Sequence, residues 1–510
     1  MFNFLLSEAA RLANAIKIGK NRMTDEDYIV KEINVFKLSR RRKEMLDGEK
    51  YYRGKHDILS RKRTVIGEKG DLEEITNIPN NRIVDNQYKK MVDQKNNYLL
   101  GQPVSVRSEN EQYAKLLKKI FNKRFQRLIK SVGEDSLNCG IGWLFVYYDE
   151  RGELTFKRMK PFEIIPLWKD AEHTILEGFI RLYEVISYEK GKEKVIEKVE
   201  VYEDKGISYF ELDGGSLKPV EPYLQNYFTI ADENDVNTGY NWTKIPLVPF
   251  KYNSKEIPLI NMVKSLQDGL NLIISNFQNN MEEDARNTIL VLVNYDGQNL
   301  GEFRKNLSQY GAVKVKTVDG QNGDLKTLQV EVNSDNYKAI IEIFKKAIIE
   351  NAMGYDAKDD RLSGNPNQMN IQSMYSDIDL DANGMETEYQ ASFEELLWFI
   401  NCHFANSGLG DFEEEEVEVI FNRDILINEG EVIENVNASQ DLSLETRLAN
   451  HPWVDDVEGE LERINKEKEE NMDQYGSAFG QPGNIGNPDD SGDPNDPTNQ
   501  GGQGDEGGVE

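Results

Sequence analysis

Asp377, Asp379, Asp381 and Glu388 stand at the steps where a calcium loop places its oxygen ligands. Such a loop also needs a glycine at its sharp turn, and Ala382 occupies that place. An apolar helical period runs straight through the segment, so the spacing predicts a charged helix face. Cys402 and His403 are adjacent soft ligands, but neighbouring side chains diverge on a helix, which favours packing over a metal. His56, His173, His403 and His451 lie far apart, with no two at ligand spacing. No Walker-type loop cradles a phosphate and no G-x-S-x-G elbow exposes a nucleophile. Asn241, Asn306 and Asn437 match N-x-Ser/Thr at the frequency chance allows. Carboxylates are plentiful, yet none is marked as an acid/base couple. The expectation is a protein without catalytic residues, metal or cofactor.

The chain has 510 residues, enough for several domains, and 38% of them are hydrophobic, enough for real cores. No apolar run approaches the length of a membrane helix. Cys139 and Cys402 are too few for a disulfide framework, which points to a reducing compartment. Residues 1–20 lack the basic start and cleavage site of a signal peptide and fit an amphipathic helix. The net charge of −29 is unevenly spread. Residues 1–130 hold 29 Lys and Arg against 17 Asp and Glu, a balance of +12. The remainder carries −41, of which −13 falls in residues 455–510. An acidic majority argues against tight non-specific DNA binding, since phosphate affinity needs cationic neutralisation. The run Arg40–Lys43 reads as a solvated face.

The first 130 residues read as mostly helical, with Tyr88, Met91, Val92 and Lys95 at helical spacing before a stop at Gly101-Gln-Pro103. Trp143–Tyr148 and Glu153–Met159 then read as a hairpin, with further strands at Ile175–Val185, Lys194–Tyr202 and Ile207–Leu212. A long helix is expected from Pro258 to about Asp284. It has an apolar stripe and an opposite face of Asn261, Lys264, Gln267, Asp268, Asn271, Gln278 and Asn279. Thr288–Val293, Ala312–Val318 and Leu325–Val332 form a small β unit, with a short helix at Phe303–Tyr310. A second helix starts at Tyr337, a polar loop spans Ala352–Asn365, and a very long helix begins beyond Pro366. A strand at Glu415–Phe421, helices over 425–448 and a last helix to about Met472 follow. From Gly476 the composition is acidic and rich in Gly and Pro, which predicts disorder.

This element order resembles the portal proteins of tailed bacteriophages, of the type in long-tailed phages of Gram-positive hosts. The resemblance rests on Tyr51–Gly54, Asn80–Val104, Ile245–Phe250 and Asn294–Gly297, and covers about Lys50 to Glu470. It implies an α+β portal fold with an α/β wing, a two-helix stem, a small β-containing clip, a long spine helix and a helical crown. Residues 1–257 would be most of the wing and 258–286 and 334–351 the stem helices. Residues 287–333 would be the clip, 352–366 a tunnel loop, 367–424 the spine helix and strand of the wing, 425–472 the crown and 473–510 an acidic tail. The resemblance also implies a ring of about twelve subunits, joined head to tail, at one capsid vertex of the virion. Double-stranded DNA would pass through it in packaging and ejection. The large terminase subunit, a head-completion or adaptor protein, and the major capsid and scaffolding proteins would be its partners, with no membrane.

On that map Tyr295, Asp296, Gly297, Lys314, Lys316 and Asp319 belong to the clip that docks terminase and adaptor. Asp356, Lys358, Asp359, Asp360 and Arg361 belong to the loop facing DNA. Lys358 and Arg361 would touch DNA transiently, or else pair with the neighbouring aspartates. The acidic surplus suits a bore that DNA slides through, because dense cations would add grip. The stem helix's Asn/Gln-rich face would be its wet side. Clip strands 288–293 and 312–318 would pair within or between subunits. Two other readings stay open: a scaffold or adaptor protein of the phage head, and a nucleic-acid-processing protein using the basic N-terminal half.

Overall fold

A computed structural model describes residues 25–66, 70–74, 78–189, 191–231, 237–284, 288–293, 324–329, 334–358, 368–423, 429–454 and 457–478. The expected strand at 312–318, the helix at 303–310, the amphipathic start and the tail beyond Ala478 lie outside those residues. The chain divides into two compact units, one ending at Leu426 and one beginning at Ile427.

The first unit is α+β. Helices α1 (Asp25–Leu38), α2 (Arg40–Tyr52), α3 (Gln87–Leu100), α4 (Glu111–Ile120) and α5 (Lys123–Cys139) dominate its start. Strands β1 (Thr64–Ile66), β2 (Leu72–Glu74) and β3 (Ser105–Arg107) lie between them. Asparagines start three of the helices: Asn86, Asn110 and Asn122 each accept a first-turn N–H, satisfying donors that the helix cannot.

The hairpin expected over Trp143–Tyr148 and Glu153–Met159 is β4 (Ile141–Tyr148) with β5 (Leu154–Met159), β4 starting two residues earlier; β6 (Ile164–Trp168) follows. Strands β7 (Leu176–Glu189), β8 (Lys192–Glu203), β9 (Gly206–Asp213) and β10 (Ser216–Gln225) meander into one antiparallel sheet ordered β10-β9-β8-β7-β6. Ile33 and Phe36 of α1 bury against its Ile180, Leu182, Val199 and Val201. Then come β11 (Phe228–Ala231), β12 (Asn237–Tyr240) and β13 (Leu247–Lys251), and β13 joins β4 in a second sheet ordered β13-β4-β5. Trp143 and Trp168 stack at 6.0 Å between the sheets' cores.

Next come α6 (Ile260–Asp284), β14 (Thr288–Val293), β15 (Asp324–Gln329), α7 (Ser334–Asn351) and α8 (Gln368–Asn406). At 39 residues α8 is about 58 Å long at 1.5 Å per residue. Its two ends serve different cores. Ile371, Met374, Tyr375 and Ile378 pack with Tyr98 of α3. Tyr389, Phe393, Leu396, Ile400 and Phe404 enter the main core with α3, α5 and α6. β16 (Glu418–Ile420) pairs with β3, shorter than the strand expected over 415–421. The second unit contains α9 (Glu429–Ala438), α10 (Leu444–Ala449) and α11 (Val457–Ala478).

Candidate functional site

Helices α6 and α7 run antiparallel in close contact. A Cβ on Gly269 would fall 2.5 Å from the Phe344 ring, so the pair closes at a distance only glycine allows there. Further along, Phe277 meets Tyr337 at 4.9 Å between ring centroids, and the Asn280 amide donates to the Tyr337 hydroxyl at 2.8 Å. Beyond this pair, β14 and β15 form a two-stranded antiparallel ribbon, from Thr288 opposite Gln329 to Val293 opposite Asp324.

The polar face of α6 is wet only in part: Asn261 and Gln278 are exposed, but one edge of it is buried. Gln267, Asn271, Ser275 and Asn279, one helical turn apart, are at most 1% exposed. They form a hydrogen-bond ladder along the extended segment before α3. Asn279 Oδ1 accepts the Asn81 backbone N–H at 2.7 Å, and Ser275 Oγ accepts that of Ile83 at 3.0 Å. Asn271 Oδ1 accepts that of Asp85 at 3.0 Å, and Gln267 Oε1 accepts that of Tyr88 at 3.0 Å. Gln267 Nε2 also donates to the Asp85 carbonyl at 2.8 Å. The buried side chains are tolerable because each accepts from the segment through its oxygen, with Asn279 Nδ2 left unpartnered among the described residues, and the segment's backbone gains partners that no sheet supplies. The Asn/Gln face therefore attaches α6 to the body, while Leu272 and Met281 of the same helix stay exposed. Lys345 of α7 joins the same segment, 2.8 Å from Asp85.

The loop after α7 is firmly rooted. Gly354 N–H closes on the Ile349 carbonyl at 2.9 Å, and a Cβ on Gly354 would sit 2.7 Å from Met91 Sδ. Gln94 of α3 grips Tyr355 twice, donating to its carbonyl at 2.9 Å and accepting its N–H at 3.1 Å. The ring of Tyr355 lies 4.5 Å from that of Tyr375 on α8. Lys95, 2% exposed, donates to the Met353 carbonyl at 3.1 Å and to Asp381 Oδ2 at 2.6 Å. Tyr252 donates to the other Asp381 oxygen at 2.8 Å. Burial pulls the Lys95 ammonium below its ordinary value, and Asp381 opposes that pull.

Two of the four carboxylates at calcium-loop spacing have other occupations. Asp381 faces Lys95, and Asp379 accepts from Tyr98 and from Arg423, the latter at 3.2 Å. α8 continues unbroken through them, and the described residues hold no group that could bind a metal. Cys402 faces an open groove, while His403 lies 3.3 Å from the Tyr148 hydroxyl. The run Arg40–Lys43 is not simply solvated. Arg41 pairs with buried Glu256, and Arg42 Nε donates to the Phe162 carbonyl at 3.2 Å. Glu256 also meets His173 at 2.8 Å and Lys251 at 3.5 Å. Burial raises its pKa, but the His173 hydrogen bond, Arg41 and Lys251 outweigh that and hold it at about 2.

Of the residues singled out for the loop, Asp356 is half-buried and its Oδ1 accepts the Lys358 N–H at 3.1 Å; Lys358 is exposed. Asp359, Asp360 and Arg361 lie outside the described residues, as do Tyr295, Asp296, Gly297, Lys314, Lys316 and Asp319. The root residues Gln94, Lys95 and Tyr355 were not among the candidates. The available signal was a lysine at the apolar period of α3.

Two helices that carry a β ribbon out and back, and then lead into a rooted loop before a long helix, define a class of protein by their order. The phage portal protein family, SPP1 Gp6-like, matches residues 37–474. The chain belongs to that family. It is 27% identical to the portal protein of Bacillus phage SPP1 over 439 residues, covering 84% of each chain. It is 29% identical to the portal protein of Clostridium phage phiCD119 over 438 residues, covering 83% of this chain and 92% of the relative.

Proposed function

We propose that this chain assembles, head to tail, into the ring at one capsid vertex through which double-stranded DNA is packaged and later ejected. The observation that carries the proposal is the antiparallel pair α6–α7 seated on the body by the amide ladder, in a chain of the portal family. On this reading residues 1–257 are the wing, and α6 and α7 are the stem. The ribbon and residues around it are the clip, and 352–366 the tunnel loop. The spine is α8, and residues 425–472 are the crown. The stem exposes Met281 (50%) and Ile343 (63%), apolar side chains that a neighbouring stem would cover.

The chain's task is then mechanical and carries no catalysis. The terminase docks on the clip and supplies the ATP hydrolysis; a head-completion or adaptor protein later takes that place. Capsid and scaffolding proteins surround the wing. A rooted loop with an exposed Lys358 suits transient contact with passing phosphates, while the acidic surplus keeps duplex from sticking. The root also refines the test. Replacing residues 357–365 by a short glycine linker leaves Tyr355 and its grip on Gln94 intact. Rings should still form and packaged DNA per capsid should fall. Unchanged packaging by that variant would refute the DNA-facing assignment.

A further inference from the structure

Residues 112–130 carry seven cations and no acid, in a chain of net charge −29. They lie on α4 and α5, whose apolar sides, with Tyr113, Leu117, Phe125 and Ile129, are buried in the main core. The opposite side is a basic ridge. Lys118, Lys119, Lys123, Arg124 and Arg127 are all exposed, and none makes an ion pair among the described residues. Lys115 alone has one, to Glu111 at 3.3 Å on its own helix.

The same unit holds the complement. Between α8 and the segment leading to β16 runs a groove of about 1590 Å³, lined by Asp411, Glu413, Glu414 and Glu416 with Glu394 of α8 opposite. Arg107 is the single Lys or Arg among its lining residues. Those four acids of the segment are exposed and make no ion pair among the described residues. The start of α4 borders that groove through Tyr113, and the Gln112 amide donates to the Leu409 carbonyl at 3.1 Å, yet no ion pair joins the ridge to the segment's acids among the described residues.

We propose that the basic ridge of α4–α5 docks in the acidic groove of a second copy of this chain. The inference rests on the ring reading above and names the surfaces that close it. The two patches differ, so their contact is head to tail, the type that generates a ring when the rotation closes. Duplex DNA is the other polyanion the ridge could meet. It would leave the groove uncovered, whereas a second copy satisfies both surfaces at once. Complementary potentials of this kind also set register and speed encounter between partners.

The test uses three full-length variants. One reverses the ridge (Lys118→Glu, Lys119→Glu, Arg124→Glu, Arg127→Glu), one reverses the groove (Glu413→Lys, Glu414→Lys, Glu416→Lys), and one carries both sets. Glu415 is left alone because it accepts the Asn110 amide at 2.9 Å. Wild-type-like circular dichroism and melting certify each fold; the readout is ring fraction by mass photometry. Each single-surface variant should lose ring by about tenfold or more, because like charges then face each other. Mixing the two should restore rings of alternating subunits with an even count, and the combined variant should assemble alone. Rings retained by both single-surface variants would overturn the proposal. So would loss that neither mixing nor combination repairs. A ridge variant that keeps its rings but loses binding to a labelled duplex would overturn it in favour of DNA. If the wild-type chain forms no ring, the ring reading itself fails, and this inference with it.

Discussion

Lys95 Nζ lies 2.6 Å from Asp381 Oδ2, with the lysine side chain 2% and the aspartate 14% exposed. The pair joins α3 to α8, and the same ammonium holds the Met353 carbonyl at the start of the loop. One buried cation thus fixes three parts of the chain that lie far apart in sequence. Losing either partner strands a charge in an apolar setting, which costs about 3–5 kcal/mol, whereas replacing both together costs far less. Lys95→Met and Asp381→Leu should each lower stability in urea by that order, and the double variant should recover most of it. Additive losses in the double variant would show that the two do not act as a pair.

The ladder predicts a similar asymmetry. Asn271 serves the Asp85 N–H, the Gln267 amide at 3.1 Å and His56 Nδ1 at 2.8 Å. Asn271→Leu keeps the volume and removes the partner of the Asp85 N–H and of His56 Nδ1, while the Gln267 amide keeps only its bond to the Asp85 carbonyl. An orphaned buried polar group costs about 1–3 kcal/mol, so a fall of at least that order is expected in chemical denaturation. Proteolysis should also reach residues 79–86 sooner in the variant. An exposed, wet face would tolerate the change within about half a kcal/mol.

Glu256 gives a pH signature. Its folded pKa of about 2 lies below its ordinary 4.5, so the folded state binds fewer protons there than the unfolded one. Its contribution is therefore full above about pH 4.5 and is lost as pH falls toward 2. A depression of that size is worth roughly 3 kcal/mol at neutral pH. Glu256→Gln should melt earlier than wild type at neutral pH, and the two curves should converge near the acid end. A constant gap across the range would rule out the ionic account.

The long elements were legible because period alone defines them: α6, α8 and the β4–β5 hairpin fall where apolar spacing puts them. Period does not say whether a polar stripe meets water or backbone. Gln267, Asn271 and Asn279 looked like a wet face because their partners lie about 180–200 residues earlier in the chain. β10 was hidden by Pro219 and Pro222, which argue against a central strand; it lies at the sheet edge, where proline is tolerated. At the loop, Lys358 was visible as a cation in a polar stretch. Lys95 showed only as a lysine at the apolar period of α3 and Gln94 not at all, because their importance lies in what the chain brings to them.

The measurement closest to the central claim is direct imaging of the assembled full-length chain by electron microscopy, with its mass measured in parallel. The account predicts closed rings with a central hole wide enough for duplex DNA and α6–α7 packed side by side around it. A uniform monomer across salt and concentration, or a closed assembly without a central hole, would contradict it.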